Sequence, residues 1–244
     1  ELMTPLALAV FVLVGMALSL FGGGGAIILI PYMKTGLSMP MDQAALLSLI
    51  TIGVNTSLQS VLDRDTIQWK AVTVFSFIAF PATVLSGHYL APVVPDPVRM
   101  ICFGVFTLSV AALISFPFKA RDESKKSLTG VSFSAAATGV LCGLVGVGGG
   151  IFIAPALNLF YRIPIKEAVK SSLAIVAVQS ITALLTYLSR GVRVPLTFAL
   201  VMLVMVGIGV IGGRRLKGLI RERQLKQAFA FFLIGIGFWV IFRP

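Results

Sequence analysis

Twice in this chain an apolar helical run breaks at a cluster of glycines and then resumes toward a proline. The first copy reads Phe21-Gly22-Gly23-Gly24-Gly25-Ala26-Ile27-Ile28-Leu29-Ile30-Pro31, and the second reads Val145-Gly146-Val147-Gly148-Gly149-Gly150-Ile151-Phe152-Ile153-Ala154-Pro155. A constant shift of 124 positions superposes them and continues past the proline, pairing Pro40 with Pro164, Ala44 with Ala168, Ser48 with Ser172 and Val54 with Val178. Glycine costs a helix interior about 1 kcal/mol relative to alanine. Broken backbone at membrane depth also needs protein or water to satisfy its polar groups. Interruptions at matching places in two duplicated halves are the best sequence pointer to the binding site of a secondary transporter.

That argument presumes a membrane, and composition supplies it. Mean hydropathy is +1.00. Hydrophobic residues make up 57% and charged residues 12%, against roughly 25% charged in a soluble domain. Basic residues exceed acidic ones by 20 to 9, but they stand in short flanks between apolar runs. They are therefore read as topology-setting charges and not as a nucleic-acid surface. Cys102 and Cys142 lie inside apolar runs with no histidine beside them, which indicates core packing and neither a metal site nor a disulfide. The first apolar run leads straight into a glycine break, so it reads as part of the fold and not as a cleavable leader.

Long apolar helices are predicted at about 3–21, 43–62, 69–91, 98–117, 128–145, 166–188, 195–214 and 224–242, most of them near the roughly 20 residues that a crossing needs. Shorter pieces, about 26–35 and 150–161, follow the glycine breaks. If each broken segment crossed the membrane, the two sides would receive ten and nine basic residues. If each returns as a hairpin, one side collects fourteen, and the other has Lys34, Arg99, Arg190, Arg193 and Arg243. Cytoplasmic loops carry such an excess, which favours the hairpins. The expected fold is an all-α polytopic membrane protein built of two inverted repeats. Each has a glycine-broken re-entrant hairpin and three transmembrane helices, with residues 1–118 as the first repeat, 119–127 as a cytoplasmic linker and 128–244 as the second. Both termini then face outward from the cytoplasmic membrane. The entering limbs, about 18 residues each, are long for pieces that reach only mid-membrane.

A helix that starts after such a break, near Gly25 and near Gly149, presents unpaired amide protons and about half a positive charge, which suits an anion. Inversion would aim both starts at the middle of the membrane. The candidate substrate-binding residues are Gly22, Gly23, Gly24, Gly25, Gly146, Gly148, Gly149 and Gly150, with Ser48, Thr51 and Asn55 on one following helix and Ser172 and Gln179 on the other. Spacings of three and four put each polar set on one helix face. Counted at about 1.5 Å per residue from Pro40 and Pro164, both serines come near the midplane, with Asn55 and Gln179 deeper. All nine acidic residues fall at or near helix ends, so no mid-membrane carboxylate is available to carry a proton or hold sodium. His88 reads as interfacial, and Lys170 as snorkelling to the cytoplasmic surface. Walker A, nucleophile-elbow, HExxH and paired-carboxylate patterns are all absent, so catalysis, cofactor and metal have no support.

The glycine-to-proline motifs, each followed by a Pro/Ala/Ser helix (Pro40, Ala44, Ser48; Pro164, Ala168, Ser172), resemble the TauE/SafE family of sulfite and organosulfur anion transporters. The likeness covers nearly the whole chain and is most specific from Gly146 to Ser172. The first half departs at Gly23 against Val147 and at Ala26 against Gly150. The resemblance implies transport of sulfite, sulfoacetate or other sulfonates by alternating access. The alternatives are a carrier or channel for another small anion such as a carboxylate, and a non-transporting membrane scaffold. The expected partners are a small anionic substrate and the lipid bilayer, without nucleic acid and with a homodimer left open.

Overall fold

The computed structural model describes residues 5–21, 26–115, 127–147, 149–216, 234, 235 and 238, and the regular structure among them is entirely helical. Helix α1 is Pro5–Phe21, and α2 is Ala26–Pro31, continued by a π-turn at Tyr32–Gly36. Next come α3 (Met41–Leu62) and α4 (Trp69–Leu85), the latter extended through Ser86–Leu90 to Ala91–Val93. After α5 (Asp96–Ser115), the second half runs α6 (Leu128–Val145), α7 (Gly150–Phe160), α8 (Ile165–Ser189) and α9 (Leu196–Leu216). Every apolar run expected within these residues is a helix, with its ends displaced by two residues at most. The run expected at 224–242 lies outside the described residues apart from 234, 235 and 238.

The helix boundaries have local causes. Pro40 and Pro164 stand just before α3 and α8 with extended backbone, and their carbonyls accept the first helical bonds from Ala44 and Ala168. Asp42, Asp96 and Glu167 occupy first turns, and Arg214 and Arg215 a last turn, where their charges complement the helix dipoles. Five helices among the described residues, α3, α4, α6, α8 and α9, are long and apolar enough to cross a membrane. Large apolar side chains such as Phe77, Phe133 and Leu196 point outward. The chain is a multi-pass membrane protein.

The helices pair across the halves. Helix α1 packs on α9, α6 packs on α4, and α3 and α8 pair at the centre. A Cβ on Gly15 would run into the carbonyl oxygen of Val206 and the Cα of Gly209, and one on Gly139 would meet the carbonyl of Ala79 and the Cβ of Ala82. One turn further on, Gly213 abuts Ser19, and Gly143 abuts Ser86. The Gly15–Val206 and Gly139–Ala82 contacts correspond under the 124-residue shift, and both interfaces close to the approach that small residues allow. Helices α3 and α8 run antiparallel. Asp42 at the start of α3 pairs with Arg190 after α8, Gly53 approaches Ser180 midway, and Asp63 after α3 pairs with Lys170 near the start of α8.

Candidate functional site

The second glycine break is a return, not a simple kink. Helix α6 ends at Gly146, whose left-handed φ of 82° would press a Cβ onto Ala45 of α3. By Gly149, also left-handed at φ 63°, the chain lies beside Thr138, seven residues back along α6. At 1.5 Å per residue that is a descent of about 10 Å. Helix α7 starts there and continues back along α6 until the Phe160 carbonyl accepts a hydrogen bond from the Ser127 amide at 3.0 Å. Helix α6 therefore runs past the level at which α7 starts, and α7 packs back along it.

No side chain caps the start of α7. Beside it stands Gln179, whose Oε1 lies 3.8 Å from the position a Cβ on Gly149 would take, and whose backbone carbonyl receives the Cys142 thiol at 3.7 Å. Gln179 is 1% exposed, and neither its Oε1 nor its Nε2 has a hydrogen-bond partner among the described residues. The hydroxyls of Ser48, Thr51 and Ser180 and the amide nitrogen of Gln59 share that condition. Their neighbours differ: Thr56, Ser57, Ser60, Thr138, Thr182 and Thr186 all bond back to carbonyls of their own helices. A buried polar group without a partner costs about 1–3 kcal/mol, so this set stands out against a background that avoids that cost.

The candidate residues are gathered unevenly. Asn55 and Gln179 lie within one or two residues of the Gly53–Ser180 crossing, near the middle of the α3–α8 pair. Asn55 turns Nδ2 to the Thr51 carbonyl at 2.8 Å, and its Oδ1 faces Gly207 of α9. Because α3 and α8 are antiparallel, Ser48 and Ser172 fall on opposite sides of the crossing, about 7 and 12 Å from it, and are not brought together. The Ser172 hydroxyl also bonds to the Val169 carbonyl at 2.8 Å. Gly149 and Gly150 form the start of α7 and Gly146 ends α6. Gly22, Gly23, Gly24, Gly25 and Gly148 lie outside the described residues. Among the described residues no group of His, Cys, Asp or Glu is placed to hold a metal ion, and both cysteines are free thiols. His88 is exposed and packs edge-on against Tyr89, and Lys170 reaches Asp63 at the end of α3.

About 12 Å from Gln179, two turns further along α8, lies a charged network that spacing arguments did not reveal. Arg99, 2% exposed, donates to the Leu144 carbonyl at 2.7 Å, to Asp42 Oδ1 at 2.7 Å and to the Tyr187 hydroxyl at 2.9 Å. Tyr187 donates onward to the Gly143 carbonyl at 3.0 Å. These contacts satisfy the last-turn carbonyls of α6 just before the glycine break, where a positive group is favoured. Arg190 binds the other Asp42 oxygen at 2.7 Å, and Lys34 pairs with Asp96 nearby. One sequence signal could have found the network: Lys34, Arg99 and Arg190 are three of the five cations that the hairpin topology puts on one face.

The sequence matches the family described as Sulfite exporter TauE/SafE over residues 7–240. The chain belongs to that family. It is 28% identical to a "Probable membrane transporter protein" of Methanocaldococcus jannaschii over 78% of this chain and 74% of the relative. Similar proteins of the same printed name come from Xylella fastidiosa, 26% identical over 95% and 92% of the two chains, and from Bacillus subtilis, 24% identical over 92% of each. No solved structure matches. Family membership and these relatives make this TauE/SafE chain a membrane transporter and give no support to an enzyme.

Proposed function

We propose that this TauE/SafE protein is a secondary transporter of small sulfur-containing anions, sulfite, sulfoacetate or other sulfonates, across the cytoplasmic membrane. The anion rests at the start of α7, against the amide protons of that helix end and the side chains of Gln179, Asn55 and Thr51. By the repeat, the first-half counterpart is the helix start near Gly25. The observation that carries the reading is Gln179, a buried amide with both polar atoms unpartnered among the described residues, set against an uncapped helix N-terminus. A group that can both donate and accept suits an oxyanion that still carries a proton.

Transport is proposed to proceed by alternating access. The halves are proposed as inverted repeats, residues 1–118 and 128–244, each with a re-entrant hairpin. Three observations support this: the equivalent helices α3 and α8 are antiparallel, the α1–α9 and α6–α4 interfaces are reciprocal, and α7 doubles back along α6. Arg99 and Arg190 share Asp42, which favours the hairpin topology, where both lie on one face, over full crossing, where they would lie on opposite faces. The linker then faces the cytoplasm and both termini face outward.

The test is uptake of labelled sulfite, sulfoacetate and a small carboxylate by the purified protein in proteoliposomes, with and without proton or sodium gradients. Saturable flux of a sulfur anion that competes with its relatives is expected. Saturable flux of the carboxylate alone would replace the substrate class. No flux of any anion would end the transport reading.

A further inference from the structure

Beside Asp42, Arg99 and Arg190 lies a cavity of about 370 Å³, walled by Pro40, Ala91, Pro95 and Asp96. Three cations (Lys34, Arg99, Arg190) face two carboxylates (Asp42, Asp96), so the cluster holds one uncompensated positive charge. Both guanidiniums converge on a single carboxylate, one on each oxygen at 2.7 Å. Charge-assisted bonds from two arginines to two oxygens are the arrangement in which proteins hold oxyanions. Here the oxyanion is tethered to the protein itself.

Asp42 also joins the halves at this mouth, since it sits on α3 and Arg190 follows α8. The opposite mouth is tied more loosely: Asp63 meets Lys170 at 3.5 Å and Arg214 at 3.6 Å, and both of those cations are about a third exposed. The two ends therefore differ in kind. One is a short-bonded lock whose cations are largely buried, and the other is a longer ion pair whose cations are partly solvated.

We propose that Arg99 and Arg190 form a second anion site at the outer mouth, filled in this structure by the Asp42 carboxylate. An oxyanion reaching the cavity takes the guanidiniums from Asp42. It thereby releases the link between α3 and α8 and stands about 12 Å outward of Gln179, in line with the start of α7. The ligand class rests on the anion-transport reading; the site itself rests on the arginine geometry and the cavity. Asp42 is thus a tethered competitor that sets how strongly an outside anion must bind before the mouth yields.

The experiment follows thermal unfolding of the purified protein against sodium sulfite and sodium acetate at constant ionic strength, for wild type, Asp42→Asn and Asp42→Asn/Arg190→Gln. Removing a tethered competitor of high effective concentration should lower the half-stabilising anion concentration about tenfold or more. Arg190→Gln in the same background should abolish the gain. Equal responses of wild type and Asp42→Asn, or of Asp42→Asn and the double variant, would overturn the proposal and leave the trio as a structural ion bridge. If Asp42→Asn does not fold in chloride, purification with sulfite or acetate decides: recovery supports the site, and failure with both anions rejects it. The measurement needs no transport. A chain that moves no sulfur anion could still pass it, and its failure would leave the Gln179 site standing.

Discussion

Gln179 Oε1 lies 3.8 Å from the point where a side chain on Gly149 would begin, although the two residues belong to different helices. The glycine break and the polar face of α8 therefore meet. Gly149 stands at φ 63°, and a Cβ there would also press on Thr138 at 3.3 Å. Gly149→Ala should cost about 1–3 kcal/mol of stability through the strained backbone. It should also diminish the stabilisation that sulfite confers, by the share that comes from this helix end. Thermal unfolding with and without sulfite reads both effects, and an undiminished sulfite response in Gly149→Ala would detach the anion from this helix end.

Gln179→Leu separates binding from folding. The substitution removes two buried polar atoms without partners and leaves volume in place, so stability should hold or rise by about 1 kcal/mol. Flux in proteoliposomes should fall sharply in the same preparation. A variant that is destabilised yet transports normally would show that the amide serves the structure.

The reciprocal interfaces make a paired prediction. Gly15→Ala and Gly139→Ala each drive a methyl into the carbonyl of a neighbouring helix, and each should cost about 1–3 kcal/mol. Gly191 has nothing within 4 Å of its Cβ position and only a left-handed φ of 78°. Gly191→Ala should therefore cost about 1–2 kcal/mol from backbone strain alone. Unfolding in mixed detergent would show unequal losses at Gly15 and Gly139 if the two interfaces were not equivalent.

The two mouths should respond differently to charge removal. Arg99→Gln removes a buried charge that donates to Asp42, Tyr187 and the Leu144 carbonyl, and about 3–5 kcal/mol should be lost with little dependence on salt. Asp63→Asn removes longer pairs to partly exposed cations, and about 0–1 kcal/mol should be lost, less in high salt. Comparable losses at both positions would contradict the contrast between a lock and a solvated pair.

Membrane sidedness tests the inverted halves. Arg64→Cys and Arg193→Cys stand in exposed turns at opposite ends of the α3–α8 pair. An impermeant thiol reagent applied outside whole cells should label Arg193→Cys and spare Arg64→Cys. Labelling of both from the same side would overturn the proposed topology.

The helices and their ends were legible in the chain because their causes are local. Lipid demands about 20 apolar residues, prolines such as Pro40 and Pro164 set starts, and the glycines between Gly146 and Gly149 end one helix before the next begins. The polar faces of α3 and α8 were equally legible, since a period of 3.6 acts within one helix. What tertiary structure alone decided is which of those groups meet. Antiparallel pairing of α3 with α8 brought Asn55 and Gln179 to one level and sent Ser48 and Ser172 to opposite sides of it, a result that counting from each helix start could not foresee. The Asp42–Arg99–Arg190 network joins residues 57 and 148 positions apart, and no period or spacing links them. Intrahelical geometry repeats along the chain and can be read from it, whereas the meeting of side chains from separate helices depends on packing directions that exist only once the whole bundle has closed.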